Sequence, residues 1–381
     1  MIKRELYMSR IRPFIGTELI KVMTGIRRCG KSVMLELIQQ ELTESGVSSA
    51  QFIAINFEDM SYSHLQTAQA LHDEITKRAK EIGGKVYLFF DEIQEVKDWE
   101  KCINSLRVSL DCDIYITGSN AKLLSGELAT YLGGRYVEFV IYPFSFGEFM
   151  ELYRSIAPDT SIQRCFQKYL LVGGMPYLAN LRYADAPSKQ YLHDLFNSVQ
   201  LKDIVKRNKI RDVDLLERII AYVIANVGTT FSATSLAKFL KTSSAPLPRN
   251  DPELYQILLR GVPFLSGERE DLQGKQILAT NEKYDIADHG IREAVFSGNM
   301  RDINLILENI VYLELLRRGF PKYVVSLDEF DMSRNGEYSC VKNVIPVQWG
   351  SSAIIRIVYV SAVWFFSTFQ SPLLYSNKNL I

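Results

Sequence analysis

Gly25-Ile26-Arg27-Arg28-Cys29-Gly30-Lys31-Ser32 follows a short apolar run at residues 19–24 and opens a helical pattern over Lys31–Glu44. The spacing is G-x-x-x-x-G-K-[ST], a loop between a strand and a helix whose backbone N–H groups wrap a phosphate. The helix that starts at Lys31 adds partial positive charge at the same point. Lys31 reaches for the β- and γ-phosphates of a nucleotide, and the Ser32 hydroxyl is placed to ligate Mg²⁺. Arg27 and Arg28 are further phosphate-facing candidates within the loop. Cys29 reads as a small loop filler, since no histidine stands near it in sequence to activate a thiol.

Outward from the loop, two periods alternate. Apolar runs at residues 19–24, 51–57, 86–90, 113–117 and 136–141 are separated by helical patterns at 31–44, 64–81, 97–110 and 121–131. Such alternation predicts an α/β fold, a parallel sheet with helices on both faces. The run at 86–90 ends in Asp91-Glu92, a buried strand delivering carboxylates to its C-terminal edge. Asp91 is the candidate Mg²⁺ ligand through water, and Glu92 the group that orients or deprotonates an attacking water. The run at 113–117 leads into Gly118-Ser119-Asn120. Asn120 is either a γ-phosphate sensor or part of a hydrophilic turn. Arg135, just before the last run, is either an arginine finger, in cis or toward a neighbouring subunit, or a surface arginine.

After Pro143 the pattern turns mostly helical to residue 227, broken by Val172-Gly173-Gly174-Met175-Pro176. Residues 214–227 form a strong amphipathic helix pattern, and a second helix is expected over 231–241 with Ser232 as its N-cap. Two helices across a short Gly/Thr turn suggest the start of a helix-turn-helix. Another helix is expected at 304–318. The expected domains are 1–150, an ATPase-type domain; 151–270, a helical segment; and 271–381, a divergent C-terminal region.

The 381 residues carry 44 Lys+Arg against 44 Asp+Glu, so bulk charge does not hold this chain on nucleic acid or anionic lipid. A hydrophobic content of 47% excludes disorder along the whole chain. Five scattered cysteines and four histidines make no zinc-type cluster and fit a reducing compartment, so a cytoplasmic location is expected. The first residues are charged and lack an apolar signal core. Residues 353–369 read as a buried or sticky strand pair, or less simply as a membrane segment interrupted by Arg356.

With these motifs assembled, the chain resembles the AAA-type P-loop ATP-binding family of bacteria and archaea. Met23-Thr24 with the loop through Ser32, Phe90-Asp91-Glu92-Ile93-Gln94 with Trp99, and residues 117–124 carry the likeness. So do 143–149 and Gly173-Gly174-Met175-Pro176. It spans residues 1–241 closely, then 271–319 and about 321–336. The resemblance implies an AAA+/STAND-like ATPase core using ATP and Mg²⁺, then a winged-helix-like segment, then a restriction-endonuclease-type C-terminal region. Residues 242–270 lack the second and third winged-helix elements. At Gly319-Phe320-Pro321 the strands that would carry an E-x-D carboxylate pair are missing, which leaves the endonuclease-like region incomplete. Glu308 and Glu314 alone cannot build a two-metal nuclease site.

Two functions are consistent with these residues. One is a Mg-dependent ATPase that works as a switch coupled to its C-terminal half and an unidentified protein partner. The other is a DNA-binding regulator that binds ATP without significant hydrolysis. Lys202, Lys206, Arg207, Lys209 and Arg211 form either a DNA-contacting patch or a solvated helix face partly balanced by Asp203 and Asp212. A homo-oligomer follows if Arg135 acts on a neighbour.

Overall fold

Each apolar run in the first 150 residues is a strand. The computed structural model describes residues 2–118, 132–199, 213–227, 230–231, 265–269, 282–296 and 303–318. Contacts divide the chain into two units, Met1–Asn299 and Met300–Ile381. The first unit begins with α1 (Glu5–Ile11), β1 (Ile20–Thr24), α2 (Lys31–Glu44), β2 (Phe52–Asn56) and α3 (Ala68–Ile82). It continues with β3 (Val86–Asp91), α4 (Trp99–Ser109), β4 (Cys112–Thr117) and β5 (Tyr136–Val140). The expected helix at 121–131 lies outside the described residues.

The five strands are all parallel, in the order β2-β3-β4-β1-β5. Parallel pairing requires a crossover after each strand, and the helical patterns supply them. Because every strand points the same way, the loops after β1, β3 and β4 emerge on one edge. The order also places β4 between the strand before the glycine-rich loop and the strand that ends in Asp91. One core forms where Ile20, Val22, Ile55, Leu88, Phe90, Ile114 and Ile116 pack against Leu71 and Ile75 of α3 and Ile103 and Leu106 of α4. Burial of such side chains stabilises by about 1.5–3 kcal/mol each.

The helix expected from residue 64 starts later. Asp59 accepts from Ser61 N at 2.9 Å and caps a short 3-10 turn at Met60–Leu65. Thr67 then caps α3, accepting from Ala70 N at 3.4 Å. Two capping side chains in succession thus divide one helical pattern into two elements.

The sheet also buries a charge pair that the apolar pattern conceals. Lys21 and Asp113 are fully buried and hydrogen-bonded to each other. Asp113 further accepts from Tyr115 OH at 2.8 Å and Gly16 N at 2.7 Å, and Lys21 donates to Thr17 O at 3.0 Å. Burial pushes the Lys21 ammonium down, and Asp113 opposes that. Asp113→Ala should destabilise this unit by roughly 3–5 kcal/mol, because it strands a buried ammonium. Urea unfolding measures this; an unchanged midpoint would sink the idea.

Beyond β5 come α5 (Phe146–Ile156), α6 (Ile162–Val172), α7 (Asp185–Val199) and α8 (Val213–Ala225). Ser145 and Glu148 close a reciprocal capping box at the start of α5. Ile219, Ile220, Val223 and Ile224 bury the apolar stripe of α8. A small antiparallel sheet follows, in which β8 (Glu282–Ile286) pairs with β6 (Thr230–Phe231) and β7 (Leu265–Arg269). Phe231 is therefore a strand residue; Ser232 and the helix expected after it lie outside the described residues. α9 (His289–Phe296) packs on α6 and α7.

Gly174 is fixed by this packing. A Cβ there would stand 2.2 Å from Phe144 O. Its N–H donates to Asp288 Oδ2 at 2.7 Å, and Phe144 N donates to Gly174 O at 2.7 Å. The glycine turn read from sequence is thus a point where three chain segments meet.

The second unit contributes α10 (Ile303–Arg317). Glu314 on it accepts from Arg317 at 3.3 Å and Arg318 at 2.8 Å. Its carboxylate is committed to two guanidinium groups, and Glu308 is exposed one face away. Among the described residues, no helix is long and apolar enough to cross a membrane. Residues 353–369 lie outside them.

Candidate functional site

The loop from Gly25 to Gly30 turns from β1 into α2 at the C-terminal edge of the sheet. Its shape depends on glycine. Gly25 has φ 142°, and a Cβ there would meet Ile141 O at 2.2 Å and Cys29 Sγ at 2.9 Å. Gly30 has φ 100° and caps α2, and Arg28 between them has φ 65°. These positive-φ positions bend the chain tightly between β1 and α2, a winding of the kind that can cradle an anion.

Lys31 is the first residue of α2 and is buried. Its ammonium donates to Gly25 O at 3.4 Å and Ile26 O at 3.2 Å, and Glu92 Oε1 lies 4.0 Å away. The two carbonyl contacts are long, so the charge rests on the loop without a close carboxylate. Ser32, next along α2, is exposed at the helix start.

Asp91 ends β3 and Glu92 follows it in the left-handed region, with φ 54°. Thr117, at the end of β4, joins them. Its hydroxyl donates to Asp91 Oδ1, and its oxygen accepts from Glu92 N at 3.0 Å. Thr117 is fully buried, so one side chain fixes both carboxylate residues. Burial pushes the Glu92 carboxyl up from its ordinary value, Lys31 and Gln94 pull it down, and Asp91 and Glu58 add to the rise.

The arginines of the loop have separate surroundings. Arg27 pairs with exposed Glu58 at 3.2 Å, and Arg28 is exposed. Cys29 is buried, and burial pushes its thiol up, so it stays protonated as a filler.

One contributor had no motif to announce it. Arg4, buried and with φ 46°, donates to Cys29 O at 3.1 Å, Tyr142 O at 2.7 Å and Glu148 Oε1 at 2.8 Å. Its guanidinium lies 4.6 Å from the Tyr7 ring centroid and 5.2 Å from that of Phe144. The N-terminal segment therefore ties the loop to the start of α5.

The structure brings Gly25 through Ser32, Asp91 and Glu92 to one edge. It places Arg135 at the other. Arg135 is exposed just before β5, which pairs in register with β1 from Ile20↔Tyr136 to Thr24↔Val140. At about 3.3 Å per strand residue it stands roughly 15 Å from the loop. That separation argues against a finger in cis; a finger toward a neighbouring subunit and a surface arginine both fit the exposed side chain. Asn120 and the basic residues Lys202 to Arg211 lie outside the described residues.

The donor set fits a nucleotide with Mg²⁺. The glycine loop at the start of α2 suits phosphates, Lys31 supplies a cation held only by two long carbonyl contacts, and Ser32 with Asp91 offers the hard oxygens that Mg²⁺ takes.

The profile of a family described as an AAA domain matches residues 17–150, and one described as a domain of unknown function matches residues 163–302. An uncharacterised protein of Haemophilus influenzae is 38% identical over 330 residues, 86% of this chain and 82% of that protein. An uncharacterised protein of Methanocaldococcus jannaschii is 29% identical over 312 residues, 79% of this chain and 67% of that protein. Among solved structures, a Walker-type ATPase of Pyrococcus abyssi superposes with TM-score 0.52 and 18% identity, covering 77% of this chain and 95% of its own. That likeness is one of fold, the P-loop NTPase sheet.

Proposed function

The chain belongs to a family of AAA-domain P-loop proteins with relatives in bacteria and archaea, and from that premise we propose that it is a Mg-dependent ATPase working as a switch. The observation that carries this reading is the convergence of Lys31 and Glu92, 4.0 Å apart, where the loop and the β3 carboxylates meet.

In this reading the backbone from Gly25 to Gly30 holds the phosphates, and Lys31 leaves its carbonyl contacts for the β- and γ-phosphate oxygens. Ser32 and Asp91 hold Mg²⁺, which when bound neutralises charge developing on those oxygens. Glu92 orients the attacking water and receives its proton. Asn120 senses the γ-phosphate. Arg135 serves a neighbouring copy, which makes the working form a homo-oligomer. Residues 1–150 are the ATPase domain. The helical and winged-helix-like domain that starts at 151 also takes in β8 and α9, beyond the expected bound at 270. The divergent region after it, to 381, is the part through which the switch reports to a protein partner.

DNA contact through Lys202 to Arg211 belongs to the rival reading, ATP binding without turnover. A phosphate-release assay with and without duplex DNA separates the two. Turnover that requires Mg²⁺, with or without stimulation by DNA, supports the ATPase. Tight ATP binding with no phosphate release, together with ATP-dependent DNA retention, overturns it in favour of the regulator.

A further inference from the structure

Gln94 stands two residues beyond Glu92 in the 3-10 turn Ile93–Glu95, which Glu95 N closes by donating to Glu92 O at 3.1 Å. The turn folds the Gln94 side chain back over the Glu92 carboxylate, and Gln94 Nε2 donates to Glu92 Oε2. A carboxylate only accepts, so this contact fixes which end of the amide faces Glu92. The other end, Gln94 Oε1, is buried and finds no donor among the described residues. A buried acceptor in that condition beside a reactive carboxylate calls for a function.

We propose that Gln94 is a positioning residue for ATP hydrolysis: its amide nitrogen holds the Glu92 carboxylate, and its Oε1 accepts one hydrogen of the attacking water. The proposal rests on the ATPase reading above. The water would then give one hydrogen to Glu92 and the other to Gln94. With both hydrogens held, an oxygen lone pair points at the γ-phosphorus. The new P–O bond forms from that lone pair as the bond between the γ-phosphorus and the β,γ-bridging oxygen breaks. The electron pair of the broken bond leaves with ADP, and the Glu92 carboxylate takes the water proton. Gln94 keeps its own protons throughout.

The left-handed backbone of Glu92 belongs to the same arrangement. Thr117 accepts from the Glu92 N–H at 3.0 Å while Gln94 donates to its carboxylate. The residue is thus gripped at both ends, as a group that must meet water at one angle requires.

Gln94→Met tests this in the full-length chain, because it keeps the length of the side chain and removes both hydrogen-bonding groups. The expected result is a fall in kcat of about tenfold or more with KM and Mg-ATP affinity unchanged. Gln94→Ala serves as the second variant should the thioether disturb folding. The decisive readout is the double variant with Glu92→Gln. Because Nε2 acts through Glu92 while Oε1 meets the water itself, adding Gln94→Met to Glu92→Gln is expected to lower kcat further by about two- to fivefold, short of the loss the single Gln94 variant shows. A kcat equal to wild type in both single variants overturns the proposal while leaving the ATPase reading in place. So does a full tenfold loss on top of Glu92→Gln. A wild-type chain that binds Mg-ATP and releases no phosphate overturns both.

Discussion

Lys31→Ala is expected to remove most of the nucleotide affinity while the fold survives. The ammonium is the one cation of the loop that is buried at the start of α2, and in the free protein it rests on two long carbonyl contacts, 3.4 and 3.2 Å. Exchanging those for phosphate oxygens gives charge-assisted hydrogen bonds worth about 1.5–3 kcal/mol each. Losing two of them weakens affinity by roughly 10²-fold or more. Folding should tolerate the change, since alanine is the best helix former and the position is the first of α2. Titration with a fluorescent ATP analogue and Mg²⁺, alongside thermal unfolding, checks both halves. Wild-type affinity in the variant would show that the loop does not bind phosphate as read.

The parts of the molecule legible in the sequence are those encoded over short stretches. The strand at 20–24, the loop and the helix from Lys31 follow one another in a single window, so spacing alone located them. Asp91 and Glu92 were legible for the same reason, at the end of a near-continuous apolar run. What escaped depends on register between distant strands. Thr117 meets Asp91 because β4 lies beside β3, a consequence of strand order that no local pattern records. Arg135 lies at the far edge from the loop for a simpler reason. A parallel sheet, as expected from the sequence, already puts a residue that precedes a strand at the edge opposite a loop that follows one; a motif reading of Arg135 does not draw on that topology.

Arg4 and Asp288 show a second limit. Arg4 reads as one charge among several in a polar N-terminus, yet it is buried and holds a loop carbonyl. Asp288 holds the N–H of Gly174 across a separation of 114 residues. Asp288 is met by backbone N–H groups, and Arg4 holds two backbone carbonyls besides the Glu148 carboxylate. Backbone partners leave no complementary residue type in the sequence, so such contacts have no signature to find. Lys21 and Asp113 do have complementary charges, but they sit inside runs whose apolar character dominates the reading.

The two acidic residues after β3 should fail in different ways when neutralised. Glu92→Gln keeps the size of the side chain and its hydrogen-bonding capacity, so the left-handed backbone held by Thr117 and the reach of Lys31 are preserved. Mg-ATP should bind with wild-type affinity. Glutamine cannot take a proton from water, so turnover should fall by ~10²-fold or more, as for a lost general base. Asp91→Asn acts one position earlier and on another step. Asp91 is buried and accepts from Thr117, and asparagine can still receive that hydrogen bond while carrying no charge for Mg²⁺. Nucleotide affinity should therefore weaken, and the Mg²⁺ concentration needed for half-maximal turnover should rise. Measuring ATP affinity and phosphate release over a Mg²⁺ series for both variants separates the roles. Unchanged hydrolysis in Glu92→Gln would move water activation to another group, with Asn120 and then Glu58 the next to substitute. Weakened Mg²⁺ dependence in Glu92→Gln with none in Asp91→Asn would exchange the two assignments, because the residue whose charge the metal feels is the one that holds it.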